Sequence, residues 1–238
     1  MPPVVLLVHG CGSSHDVWRA YSWVQPPNHV TTISHPSSGS AELYSATGLA
    51  VFGGQTVFLL DYSLNVYGIE HLANLLKGAV DHAKSSRDVD QVVIATHSMG
   101  ALIARTYVQG QANGVSYTQD VAGLYMIAPP NAGCAWVNRL TARGARIFTC
   151  RQAGQLAPKG QFMTHLNSAP LPRSIRYLIA TGRRCLLPLF GYHDGVIRGI
   201  DARHYGGVCV PVCGANAPIL GEGQTKAAVN LKFASDFP

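Results

Sequence analysis

Short apolar runs and helical repeats alternate along this chain of 238 residues. Val4–Val8 is a continuous run of Val and Leu, too short for a helix, and predicts a buried strand. Val57–Leu60, Val92–Ile94 and Val121–Ile127 repeat that pattern and predict three more. Ser174–Ala180 alternates Ile175, Tyr177 and Ile179 and predicts a fifth strand, and Val208–Val212 predicts the last. Between the runs the period changes. Leu72, Leu75, Leu76, Ala79 and Val80 recur at helical spacing within Ile69–Ala83. A second helical pattern starts at Ala101 and runs to about Gln109. His15–Tyr21 places Val17, Trp18 and Tyr21 on one helical face, and Thr225–Phe233 predicts a closing helix. Residues 25–56 are rich in Pro, Ser, Thr and Gly and predict long loops with at most one short strand. Residues 134–170 break the rhythm and predict an insertion of helices and loops.

Strands alternating with helices imply an α/β domain with a mostly parallel sheet and helices on both faces. The length suits one domain, and neither an internal repeat nor a linker interrupts it. In open sheets of this kind the chemistry lies beyond the carboxyl ends of the strands. Three small-residue or polar stretches follow strand ends. They are His9-Gly10-Cys11-Gly12, Thr96-His97-Ser98-Met99-Gly100 and His193-Asp194-Gly195-Val196. The topology brings them to one sheet edge.

The second stretch carries the sharpest signal. A β-branched run leads into Ser98, and Gly100-Ala101-Leu102-Ile103 leads out as a helix. A serine on a tight strand-to-helix turn is a nucleophile elbow. Such a turn forces small neighbours two residues away on either side. Gly100 meets that need, and Thr96 stands where glycine is usual. The helix N-terminus beneath Ser98 favours negative charge forming above it. The plain alternative is a serine that only starts a helix, and the strand before it makes the elbow the better reading.

Composition narrows the classes. Apolar residues make up 47% and charged residues 13%, which describes a globular chain. No apolar run reaches the ~18 residues of a membrane span. The net charge is +6. Arg139, Arg143, Arg146 and Arg151 cluster, which reads as a solvated helix face rather than as an anionic-lipid site. No nucleic-acid motif accompanies the charge. Met1-Pro2-Pro3 leads directly into a strand, so no signal peptide is expected. The protein is expected in the cytoplasm, or outside it if Met1 replaces a removed leader. The six cysteines contain no Cys-x-x-Cys pair, which argues against zinc and thioredoxin-like chemistry. Cys209 and Cys213 lie four apart on one predicted strand, roughly 13 Å from end to end, and cannot bridge each other. In an exported protein at least one disulfide is expected, drawn from Cys134, Cys150, Cys185 or a last-strand cysteine.

The chain resembles the α/β-hydrolase family, in particular its small bacterial lipases and esterases. The resemblance covers nearly the whole chain. It rests on Val-His-Gly at 8–10, His-Ser-Met-Gly at 97–100, Ala-Pro-Pro-Asn at 128–131 and His-Asp-Gly-Val at 193–196. It implies a triad in the order Ser…Asp/Glu…His, with Ser98 attacking an ester carbonyl to form an acyl-enzyme that water hydrolyses. It implies Asp194 as the acid, with Asp61 and Asp201 as rivals, and the backbone N–H groups of Cys11 and Met99 as the oxyanion hole. It implies an apolar acyl group, no metal or organic cofactor, a lid-like insertion at 134–170, and a small-molecule or lipid ester met at a lipid interface. The catalytic histidine is expected after the last strand, but that loop reads Cys213-Gly214-Ala215-Asn216-Ala217-Pro218. Ala217 occupies the expected position, and no histidine follows His204. The chain as written is therefore an esterase lacking its base, a hydrolase-like binding protein without turnover, or an acyltransferase.

Ten histidines invite accidental matches. His9 is expected to brace the oxyanion loop and His97 to pack behind the elbow. His193 adjoins the acid, and adjacent loop residues rarely face each other. His15 and His165 could overhang the pocket, and His204 is expected at the opposite sheet edge.

Overall fold

A computed structural model describes residues 3–49, 51–134, 151–183, 208–213 and 223–238. Among these residues eight strands form one sheet in the order β2-β3-β4-β1-β5-β6-β7-β8. The strands are β1 (Val4–Val8), β2 (Asn28–His35), β3 (Gly39–Thr47), β4 (Thr56–Asp61), β5 (Val92–His97), β6 (Val121–Ile127), β7 (Arg176–Arg183) and β8 (Val208–Cys213). From β4 through β8 every neighbouring pair is parallel. The helices are α1 (Asp16–Ala20), α2 (Ile69–Arg87), α3 (Gly100–Val108), α4 (Gln161–Ser168) and α5 (Gly223–Asp236), with a 3-10 turn at Arg151–Leu156.

The apolar runs are continuous because the parallel strands are buried on both faces. Side chains alternate between two cores. Leu6, Val8, Phe58, Leu60, Ile94, Leu124 and Met126 pack with Leu72, Leu76, Leu102 and Ile103 of α2 and α3. Val5, Leu7, Val57, Leu59, Val93, Tyr125 and Ile127 pack on the other side with Trp18, Trp23, Phe52, Val229 and Phe233. This is the α/β architecture expected from the strand–helix alternation.

Residues 25–56 depart from expectation. They hold two strands of an antiparallel hairpin, β2 and β3, which extends the sheet beyond β4. β2 is the outermost strand and contains no fully buried side chain. Its Thr, His and Ser positions face water, so composition suggested a loop where backbone pairing to β3 makes a strand. Only Ala41, Leu43 and Ala46 of β3 reach the interior. The hairpin leans on α2, where a Cβ added at Gly78 would lie 2.6 Å from Ile33 Cγ2.

Parallel register sets the working edge. Val8 pairs with Leu60 on one side and Thr96 on the other, and His97 pairs with Ile127. The residues that follow, His9, Tyr62, Ser98 and Ala128, therefore emerge side by side.

Candidate active site

The turn after β5 has the strain that an elbow requires. Ser98 adopts φ +51°, in the left-handed region that non-glycine residues avoid. Its N–H donates to Ile127 O at 2.9 Å, and Ser98 O accepts from Ala101 N at 3.1 Å, so the turn is tied to β6 and to the start of α3. Close packing explains the small neighbours. A Cβ at Gly100 would lie 2.5 Å from His9 O and 2.7 Å from Val8 O. Thr96 is fully buried, and its hydroxyl donates to Tyr125 O at 3.3 Å, which gives the residue at the usual glycine position a partner on β6. Ser98 itself is 8% exposed.

A cleft of about 400 Å³ opens beside this turn, lined by His9, Gly10, Cys11, Gly12, Met99 and residues of the 62–66 loop, with Gln152 opposite. Ser98 adjoins it through both neighbours. Met99 lines the cleft, and a Cβ at Gly10 would lie 2.9 Å from Ser98 Cβ. Gly10 lets the loop after β1 press against the serine. Two expected site residues, Cys11 and Met99, thus line one cleft, and Ser98 lies next to its lining residues Met99 and Gly10. Asp194 and Ala217 lie outside the described residues, as do Asp201, His193 and His204.

The loop after β1 is gripped by the end of β4. The His9 ring stacks on Tyr62 at 4.0 Å and 11°. His9 Nδ1 donates to Gly10 O at 2.8 Å, and the Tyr62 hydroxyl donates to His9 O. Asp61 Oδ1 lies 3.3 Å from His9 Nε2 and accepts from Ser63 N at 2.9 Å. Asp61 Oδ2 accepts from both Nδ1 and the backbone N of His15. Burial raises the Asp61 carboxyl, but the contacts with His9, His15 and the Ser63 N–H outweigh it and hold the group well below the usual carboxylate range. Burial likewise pushes the Tyr62 phenol well above its ordinary value. Sequence reading treated Asp61 only as a rival acid. The signal for its real surroundings was positional, because it ends the strand parallel to β1 and must emerge next to His9.

The other described histidines are placed apart from the cleft lining. The ring of His15 is stacked on Tyr44 at 3.8 Å and engaged by Asp61. His165 borders a separate cavity with Glu70, Gln155 and Phe162. His97 is buried behind the turn.

The residues around 151–168 are docked rather than free-standing. Gln152 donates to Tyr67 O at 2.7 Å, and Gln155 accepts from Ile69 N at 2.7 Å, which caps the open start of α2. The fully buried Arg105 of α3 donates to Asn131 Oδ1 at 3.1 Å and Asn167 Oδ1 at 3.0 Å, joining α3 to α4. Cys134 is buried, and its N–H donates to Leu156 O at 2.6 Å. Among the described residues no cluster of three His, Cys, Asp or Glu could hold a metal ion. No described helix is long and apolar enough to cross a membrane.

No family model matches the chain, and no curated protein matches it in sequence. Solved structures do share its architecture. Lipase BlEst2 of Bacillus licheniformis in its mature form superposes with a TM-score of 0.67 at 13% identity, over 97% of this chain and 92% of that one. Phospholipase PlaB of Legionella pneumophila matches with 0.63 at 14% identity, over 99% of this chain and 58% of that one. The metagenomic carboxyl esterase MGS0156 matches with 0.59 at 12% identity, over 99% and 75%. The chain has the α/β-hydrolase fold.

Proposed function

We propose that this protein is a serine hydrolase of lipase or esterase type, forming an acyl-enzyme on Ser98. One observation carries the reading: Ser98 is held at φ +51° between a buried strand and a helix, next to Met99 and Gly10 of a cleft wall. A serine held in this backbone region on a strand-to-helix turn is what a presented nucleophile requires. The backbone N–H groups of Cys11 and Met99 are the proposed oxyanion hole, because both residues line the cleft on either side of Ser98. Asp194 is the proposed acid. Position 217 is where the histidine base belongs, and alanine stands there. The stretch 134–170 is proposed to cover the cleft as a lid within the single domain, since Gln152 forms part of the wall. Leu64, 94% exposed, and Val66, 54% exposed, offer an apolar rim that suits an apolar acyl group or a lipid ester. A disulfide belongs to the same reading if the protein is exported.

The missing histidine favours a second reading, a ligand-binding protein on a hydrolase scaffold. Labelling with a fluorophosphonate separates the two. The expected result is slow labelling that vanishes in Ser98→Ala, with Ala217→His raising hydrolysis of a simple ester by orders of magnitude. Without a base, oxyanion hole and binding can still leave roughly 10³–10⁴-fold catalysis over water. Labelling that survives Ser98→Ala overturns the assignment. Tight binding of a fatty acid with no labelling at all favours the second reading.

A further inference from the structure

We propose that Asp61 is a positioning residue that closes the loop between His9 and His15 like a clasp and so fixes the oxyanion donor beside Ser98. This rests on the serine-hydrolase reading above. The two oxygens of one carboxylate face the two ends of one loop, the near end through a ring whose Nε2 also accepts from Tyr62 N at 3.3 Å. Oδ1 lies 3.3 Å from His9 Nε2 at the loop's start, and Oδ2 accepts from His15 Nδ1 and N at its end. Between these anchors lie Gly10, which touches the serine, Cys11, and Gly12 at φ +66°. In this chain of small residues Cys11 alone packs against a core. Tyr62 already grips the first end through its ring and hydroxyl. The contribution specific to Asp61 is therefore the far end, where His15 begins the turn into α1.

The arrangement is built rather than incidental. The Asp61 side chain is 10% exposed and that of His15 13%, so water competes little for either. The His15 ring is also fixed from its face by Tyr44 of β3. Asp61 comes from β4, a rigid central strand, and not from another loop. A donor aimed at a developing oxyanion loses most of its effect when misplaced by about 1 Å, at a cost on the order of 10²-fold.

The test uses the full chain without reductant, so that the state of the cysteines is the same in every variant. Asp61→Ala removes both anchors. His15→Phe keeps a ring against Tyr44 and removes only the ring contact of the far anchor, and it serves if Asp61→Ala folds poorly. The maximal rate of fluorophosphonate labelling is expected to fall about 10- to 100-fold in either variant, with the half-saturating probe concentration changed less than twofold. Amide hydrogen exchange at residues 10–14 is expected to quicken about tenfold or more while β5 stays as slow as before. Both effects are required. Unchanged labelling, unchanged loop exchange, or β5 quickening in step with the loop each overturns the clasp. If the unsubstituted protein is not labelled at Ser98, the hydrolase reading fails on its own. Loop exchange then decides alone whether Asp61 holds the loop.

Discussion

The turn from β5 into α3 and the β2–β3 hairpin belong to one sheet yet obey opposite rules. Every residue of β5 and of α3 is buried, and the glycine there, Gly100, sits against backbone. β2 contains no buried residue, and polar side chains cover its outer face. The contrast recurs in two carboxylates that are direct cross-strand partners, Glu42 on β3 and Asp61 on β4. Both engage histidines. Glu42 does so in the open, with His29 and Thr32, while Asp61 does so at the working edge with water largely excluded. Central position, not residue type, decides how much a polar contact is worth in this fold.

The sharpest break in that comparison is Gly100→Ala. The new methyl meets the carbonyls of Val8 and His9, neither of which can move without disturbing β1. A loss of about 3 kcal/mol is expected in urea unfolding, together with loss of labelling at Ser98. A loss below about 1 kcal/mol would mean that the elbow is looser than its packing implies.

The two carboxylates sharpen the comparison next. At neutral pH Asp61→Asn is expected to cost about 2 kcal/mol, and Glu42→Gln less than about 0.5 kcal/mol, because exposed ion pairs contribute little. Both groups are held below their ordinary values, Asp61 by His9, His15 and Ser63 against burial, and Glu42 by His29 and Thr32. A depressed carboxyl stabilises the fold above its unfolded value, 3.8 for Asp61, and that contribution is lost as pH falls below it. The gap between the parent protein and Asp61→Asn should thus hold from pH 7 to about 5 and narrow in stronger acid. Equal costs for the two substitutions would show that edge and centre do not differ as described.

The smallest effect tests how the hairpin is seated. Gly78→Ala is expected to destabilise by about 1 kcal/mol, because its methyl meets Ile33 of β2. In an Ile33→Ala background the clash is gone, and the same change should stabilise by up to about 1 kcal/mol through helix propensity. No reversal of sign would mean that the hairpin does not bear on α2 at this point.

What the sequence determined by itself was the buried centre. Val4–Val8, Val92–Ile94 and Val121–Ile127 read as strands because burial on both faces demands unbroken apolar runs, and α2 showed its period because only one face meets the sheet. Ser98 was legible because a strand, a nucleophile and a glycine follow one another within a few residues. The tertiary structure alone decided the rest. The hairpin was invisible because an edge strand needs only backbone pairing, which any polar residue can supply. The clasp was invisible because Asp61, His9 and His15 owe their meeting to parallel register between β1 and β4, and strands distant in sequence leave no local mark of the partner they will find.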